Sequence, residues 1–305
     1  MKGLKKLLFF IISSIGVFGG VFLFFWNMAK KIQQPLRRQI TSVPSVPYEN
    51  IEFPSKEGIV RGWFIPSKFE ETPPLIILCH GWGSSRDTVY RYVDRLHEEG
   101  YSLLLFDVRG HGESSSVKAL TVKTFRDDII SAVKFAKSRK DIDTNNIGLL
   151  GHSFGGFGSI LSLSKGNTAK AIVIDSSPIK FTTIMESFLK QKKLPTYPLV
   201  PILTKFIFMR ANITTRETKE DLDCIKALEN TRTPILMTHS INDNFVPSSE
   251  LEYIKSRVKI NSFYVKSDGH RDSQSDPDFW ENVIPFFNAH LSMRSKNFIS
   301  EEKNG

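Results

Sequence analysis

Short apolar runs that alternate with segments of helical spacing constrain the fold of this chain more than any other feature. The runs lie at 75–79, 103–106, 147–150, 171–174, 235–238 and 263–265. They are continuously apolar and rich in β-branched residues, which is typical of strands buried on both faces of a parallel sheet. The segment 59–65 alternates more and predicts an antiparallel strand near the start. Together these patterns predict an α/β domain with right-handed crossovers.

The segments between the runs have the spacing of amphipathic helices. Helices are predicted at 87–99, 122–137, 248–258 and 276–293. Pro285 is expected to bend or split the last of them. The stretch 179–219 has no clear strand and is rich in Phe, Leu, Ile, Lys and Thr, so we interpret it as a helical cap inserted between two strands.

The N-terminal segment carries no charge between Lys6 and Lys30. A helix needs about 20 apolar residues to cross the hydrocarbon layer. A secretory signal peptide is the main alternative, but its apolar region is usually about 7–15 residues long. We therefore predict an uncleaved anchor at 1–29, a tether at 30–47, a catalytic domain at 48–294 and a tail at 295–305.

The orientation of this anchor is only weakly indicated. Positive charges lie on both sides of the apolar segment, so the positive-inside rule supports the two orientations almost equally. An N-terminal anchor most often leaves its short N-terminus in the cytoplasm. The domain that follows the span then lies on the other side of the membrane, so we expect an extracytoplasmic catalytic domain.

Charge and motif content limit the possible partners. The formal net charge is +9, but no stripe of Lys and Arg interleaved with aromatic residues predicts a nucleic-acid surface. A basic surface near a membrane is the simpler interpretation. No HExxH or CxxC spacing predicts a metal, and a dinucleotide fingerprint that starts at Gly156 lacks its third glycine, so neither a metal nor a cofactor is expected. The sequence gives no prediction of oligomeric state.

One serine lies within a glycine-rich turn between an apolar run and an apolar helical segment. The stretch Gly151-His152-Ser153-Phe154-Gly155 has the G-x-S-x-G pattern of a nucleophile elbow, in which a sharp turn from strand to helix exposes one side chain. Small neighbours are required because the turn is crowded. The alternative is a glycine-rich turn with an incidental serine.

A serine nucleophile needs a base, which is usually a histidine oriented by a carboxylate. In this architecture the acid and then the histidine follow the serine along the chain. Asp243 follows the run 235–238 and His270 follows the last run, so we predict the triad Ser153, Asp243 and His270. Asp175 is the reserve acid. The histidines that fit this role less well are His97, His152, His239 and His290.

An acyl-transfer reaction also needs backbone N–H donors for the oxyanion. The residue after the nucleophile, Phe154, supplies one predicted donor. The loop His80-Gly81-Trp82-Gly83 follows the first parallel run, and the N–H of Trp82 is the second predicted donor. The His80 ring is expected to hydrogen-bond loop backbone rather than transfer protons.

These motifs, together with the segment Asp107-Val108-Arg109-Gly110-His111-Gly112-Glu113-Ser114, resemble α/β-hydrolase-fold serine hydrolases over about 51–290. The chain looks most like the branch called serine aminopeptidase-like or membrane-anchored α/β-hydrolase-domain proteins. The resemblance implies a mostly parallel central sheet flanked by helices, with a small cap. It also implies that Asp107, Arg109 and His111 support a loop near the site.

The predicted function is hydrolysis of an ester through a Ser-His-Asp triad and an acyl-enzyme. The apolar cap and the anchor favour a hydrophobic or lipid-like substrate. The alternative is that the aromatic residues of the cap simply pack it onto the core. Two alternatives stay open because the fold hosts many functions. One is an envelope peptidase or amidase, and the other is a non-catalytic membrane-tethered binding protein.

Overall fold

The computed structural model describes residues 2–69, 72–166 and 168–291, so the predicted tail at 295–305 lies outside the described residues. The strands are β1 (Glu49–Ser55), β2 (Gly58–Ile65), β3 (Leu75–Cys79), β4 (Ser102–Phe106), β5 (Ile147–His152), β6 (Ala171–Asp175), β7 (Ile235–Asn242) and β8 (Asn261–Asp268). The helices are α1 (Lys2–Ile32), α2 (Val93–Glu98), α3 (Val122–Ser138), α4 (Phe154–Leu163), α5 (Phe181–Gln191), α6 (Leu199–Arg210), α7 (Thr215–Glu220), α8 (Cys224–Glu229), α9 (Ser249–Lys255) and α10 (Pro277–His290).

The strands form one sheet in the order β1-β2-β4-β3-β5-β6-β7-β8. β2 pairs antiparallel with β1 and β4, and all the other pairs are parallel. The predicted parallel sheet and its antiparallel start are therefore confirmed. In a parallel sheet, the loops after β3, β5, β7 and β8 all leave from the same edge.

Helices cover both faces of the sheet, and the side chains of each strand point alternately into two separate cores. On β3, Leu75 and Ile77 pack with α3, α4, α8 and α9, whereas Ile76 and Leu78 pack with α2 and α10. Burial of both faces explains why the strands are continuously apolar.

Three elements differ from the prediction. β1 was not predicted, because it is an edge strand with one polar, exposed face and a proline. The first half of the predicted helix 87–99 is a 3₁₀ helix (Arg86–Tyr92), whose start is held by a hydrogen bond from the Arg86 amide to Asp107. The helix that contains Pro285 is continuous rather than split, and it ends at His290.

The anchor helix and the tether also differ from the predicted division. α1 continues to Ile32, past the predicted boundary at residue 29. The segment after it lies against the domain instead of hanging free. Arg37 donates to the carbonyls of Gly112 and Ser114, and the amide of Thr41 donates to Asp87 at 3.0 Å. Tertiary hydrogen bonds of this kind leave no local sequence pattern.

The stretch between β6 and β7 is helical, as the sequence predicts for the cap. It contains α5, α6, α7 and α8, and no strand is assigned within its described residues. Residues 13–32 of α1 are long and apolar enough to cross a membrane, although a signal sequence has the same properties.

Candidate active site

Ser153 occupies the turn between β5 and α4 with a backbone conformation that is rare for a residue with a side chain. Its φ is 54° and its ψ is −120°. A Cβ on Gly151 would lie 2.6 Å from the carbonyl carbon of Gly155, and one on Gly155 would overlap the Cys79 carbonyl oxygen. Glycine is therefore required at both positions, and the turn is the strained elbow that the G-x-S-x-G pattern predicts.

The structure brings the three predicted triad residues together although they are far apart in the sequence. His270 Nε2 lies 2.9 Å from Ser153 Oγ, and His270 Nδ1 lies 2.7 Å from Asp243 Oδ2. Each residue follows the carboxyl end of a different parallel strand, β5, β7 or β8, which is why they converge at one edge of the sheet. This geometry lets a proton move from the hydroxyl to the imidazole while the carboxylate orients the ring.

The Asp243 carboxylate is fixed by backbone donors on its other oxygen. Oδ1 accepts hydrogen bonds from the amides of Phe245 and Val246, each at 2.8 Å. His239 Nε2 lies 3.5 Å from Asp243 Oδ2 and donates instead to the Val246 carbonyl at 2.9 Å. Burial lowers the pKa of His239, which favours the neutral ring. Oδ2 is therefore left for His270.

A second imidazole and carboxylate pair lies beneath the site. His152 Nδ1 lies 3.2 Å from Asp175 Oδ2, which also accepts a hydrogen bond from Tyr92 at 2.5 Å. Burial lowers the pKa of His152 to about 3. Although burial opposes it, the hydrogen bond from His152 contributes to an Asp175 pKa well below its usual range. Asp175, the reserve acid, thus pairs with His152, and the His152 ring lies 4.8 Å from that of His270.

The loop after β3 lies against the elbow. A Cβ on Gly81 would be 3.0 Å from Ser153 Cβ, and the rings of Trp82 and Phe154 are 5.0 Å apart. No hydrogen bond from the Trp82 amide is found within the described residues. The Phe154 amide begins α4, where helical geometry provides no acceptor. Among the residues that the structure describes, neither predicted oxyanion donor has a hydrogen-bond acceptor, and both lie next to Ser153.

Two buried histidines support this loop from behind. The His80 ring lies between backbone groups, with Nδ1 2.7 Å from the Gly81 carbonyl and Nε2 accepting from the Val108 amide at 3.0 Å. His111 Nε2 accepts from the Gly83 amide at 3.0 Å. Burial lowers the pKa of both rings, so their neutral forms are favoured. The prediction that His80 binds loop backbone is confirmed.

The segment that begins at Asp107 is held by buried ion pairs. Arg86 lies 2.6 Å from Asp107, and Arg109 lies 2.6 Å from Asp128, with all four side chains almost fully buried. Asp107 also accepts the Glu113 amide at 2.9 Å. These contacts agree with the supporting role that the resemblance implies for Asp107, Arg109 and His111.

The other histidines and acids are not brought to Ser153. His97 is buried on α2, and its Nε2 donates to the Pro66 carbonyl at 2.9 Å. The ring of His290 lies 4.8 Å from that of Phe286, near the end of α10. Asp268 accepts a hydrogen bond from Asn242 at 3.0 Å at the rim of the site.

A cavity of about 920 Å³ opens above Ser153 and His270. Apolar side chains of α5 form much of its wall, α6 supplies Ile207, and the end of α1 supplies Met28, Lys31 and Ile32. These three residues were not predicted to line the site, because α1 was expected to be separate from the hydrolase domain. In a helix that is apolar on all sides, spacing does not distinguish a face that packs on protein from one that faces lipid.

Comparisons with known proteins agree with this architecture. A family model described as alpha/beta hydrolase fold matches residues 74–198. The quorum-quenching protein AidA of Acinetobacter baumannii is 28% identical over 171 residues, which are 55% of each chain. The protein YfhR of Escherichia coli is 29% identical over 142 residues, 45% of this chain and 49% of that one. This chain thus spans about half the length of the curated relatives it matches.

The fold is also found among solved structures. The esterase Pf2001 of Pyrococcus furiosus superposes with a TM-score of 0.67 and is 23% identical, over 86% of this chain and 98% of that one. The sheet order, the matched family model and this likeness show that the chain has the α/β-hydrolase fold.

Proposed function

We propose that this chain is a serine hydrolase that cleaves carboxylic esters through an acyl-enzyme. The observation that supports this most is the continuous relay of hydrogen bonds from Ser153 through His270 to Asp243, at 2.9 and 2.7 Å. The fold and its esterase-named structural neighbours support a hydrolase independently of that relay.

The first half-reaction forms the acyl-enzyme. Ser153 Oγ attacks the acyl carbon while His270 Nε2 takes the hydroxyl proton. Asp243 stabilises the resulting imidazolium and holds the tautomer that presents a lone pair to the serine. The oxyanion accepts hydrogen bonds from the amides of Trp82 and Phe154. His270 then gives the proton to the leaving alkoxide.

The second half-reaction returns the enzyme to its starting state. Water loses a proton to His270 and attacks the acyl carbon, and the proton returns to Ser153 as the acid leaves. An ester is preferred over an amide because its leaving group needs less protonation. The apolar wall of the cavity favours a hydrophobic acyl group.

We also propose that α1 anchors the protein in a membrane and that the hydrolase domain lies outside the cytoplasm. The apolar length of α1 supports the anchor. Protease added to intact cells would digest an external domain and would leave a cytoplasmic one intact.

Hydrolysis of chromogenic substrates tests the reaction. Wild-type protein in detergent should cleave nitrophenyl butanoate, and Ser153→Ala should lower that rate at least about 10³-fold. Ser164→Ala is the matched control, because Ser164 is exposed away from the site and its hydroxyl donates to the Leu161 carbonyl. Faster cleavage of aminoacyl anilides than of esters would favour a peptidase, and an inactive wild type would favour a binding protein.

A further inference from the structure

The anchor helix is packed against the cap along a defined face. Phe22 and Phe25 of α1 contact the Phe206 ring, with centroids 5.2 and 5.7 Å apart. Ala29 is fully buried against the same helix, α6, in a cluster that includes Leu203. Such a face fixes the position of α1 relative to the hydrolase domain.

The end of this helix is also held by polar contacts. The buried Gln33 side chain donates to the Ile207 carbonyl and accepts from Arg210, both at 3.0 Å. The Gln33 carbonyl accepts from the Leu120 amide at 3.3 Å. A buried amide side chain with both ends paired is costly to displace, so the contact between α1 and α6 is a fixed part of the fold.

The neighbouring face of the same helix lines the active-site cavity. Met28 and Ile32 line the cavity that also contains Ser153 and His270. Phe181, Ile184 and Phe188 of α5 line the same cavity. The lining of the space above the nucleophile is therefore shared by α1 and the cap.

The position along α1 of its contact with α6 relates the cavity to the membrane surface. The uncharged run from residue 7 to 29 is about 34 Å long as a helix, compared with a hydrocarbon layer of about 30 Å. Phe22 and Phe25, which contact α6, fall in the last third of that run, so the proposed anchor would place α6 at the membrane surface. The loop after α5 exposes Leu194 and Tyr197 next to Lys192 and Lys193, a composition typical of residues at a bilayer interface.

We propose that α1 is part of the substrate-binding site, and that Met28 and Ile32 contact the acyl chain of a membrane amphiphile and limit its length. This proposal rests on the proposed ester hydrolysis at Ser153. The acyl chain lies between α1 and α5 with its carbonyl carbon at Ser153, and the leaving group faces the polar rim near Asp268. The anchor therefore selects substrate in addition to holding the enzyme at the membrane.

Bulky substitutions on the two faces of α1 test this assignment. We compare full-length Met28→Trp and Ile32→Trp with Leu23→Trp, whose side chain is 58% exposed on the same helix. The substrates are nitrophenyl butanoate and nitrophenyl dodecanoate in one detergent. The first two variants should lose about tenfold or more in kcat/KM for dodecanoate, because the added ring takes the space of several methylenes. For both variants the ratio of kcat/KM for dodecanoate to kcat/KM for butanoate should therefore fall, because the shorter butanoyl chain needs less of that space. Leu23→Trp should match wild type on both esters.

A substitution that enlarges the cavity distinguishes a change in substrate preference from a folding defect in the Trp variants. Ile32→Ala enlarges the cavity and should shift the preference towards acyl chains longer than the wild-type optimum. Equal losses on both esters in the Trp variants, combined with an unchanged chain-length profile in Ile32→Ala, would overturn the role of α1. Failure of the proposed function looks different, since wild type would then cleave neither ester or Ser153→Ala would retain both activities.

Discussion

Asp243→Asn isolates the orienting role of the carboxylate, because the two side chains have nearly the same shape. Asp243 Oδ1 accepts two backbone amides at 2.8 Å, and Oδ2 accepts His270 Nδ1 at 2.7 Å. An asparagine must place its only oxygen towards the two amides, since an NH₂ group cannot accept from them. Its NH₂ group then faces His270 and can only donate.

The NH₂ group of the asparagine at position 243 reverses the tautomer of the His270 imidazole. His270 Nδ1 has to accept, so its proton moves to Nε2, the atom that lies 2.9 Å from Ser153 Oγ. A protonated Nε2 cannot take the serine proton. In triads of this kind the change from carboxylate to amide lowers kcat about 10⁴-fold, which is about 5 kcal/mol of transition-state stabilisation.

Steady-state hydrolysis of nitrophenyl butanoate measures the loss. Asp94→Asn is the matched control, because Asp94 is exposed on α2 and does not line the cavity. It should retain kcat within about threefold of wild type. A thermal midpoint near that of wild type shows that Asp243→Asn is folded. If the folded variant kept more than about a tenth of wild-type kcat, the assigned orientation of His270 would be refuted.

Two further substitutions and one topology experiment follow from the structure. Gly155→Ala should lower the free energy of unfolding by about 2 kcal/mol or more, because its methyl group overlaps the Cys79 carbonyl; Gly16→Ala, in open space, should have no such effect in chemical denaturation. The pKa of His152 is about 3 in the folded chain and about 6.5 when unfolded, so the unfolded state binds more protons between those values and stability falls as pH falls. Urea unfolding at pH 7 and pH 5 should differ by about 2 kcal/mol from this residue alone, and His152→Gln should reduce that difference; an unchanged difference would contradict a buried neutral ring. Protease treatment of intact cells should remove the hydrolase domain, and its survival until the cells are lysed would contradict an external domain.

The sequence predicts the parts of this protein whose signal is local. The strands were found because continuous apolar runs mark burial on both faces, and the elbow was found because its crowding requires glycine at 151 and 155. The convergence of Ser153, Asp243 and His270 followed from chain order, since residues after parallel strands share one edge of the sheet. Their hydrogen bonds have the geometry that this reasoning expected.

The parts that sequence reasoning missed depend on contacts between distant segments. β1 is half exposed and contains Pro54, so no burial pattern marks it. Residues 33–46 have the composition of a linker, yet the Arg37 and Thr41 contacts fix them to the domain. The cavity-lining role of Met28 and Ile32 was hidden because an apolar helix can face lipid or protein with the same residues.

Mapping the adduct of a fluorophosphonate on the full-length protein tests the central claim most directly, because the reagent reports an activated serine without any assumption about substrate. Peptide mass spectrometry should find one adduct, on the peptide that contains Ser153. His270→Ala should slow its formation by about 10² or more, and Ser153→Ala should abolish it. An adduct on another residue, or one that forms at the wild-type rate without the Ser153 hydroxyl, would contradict the account.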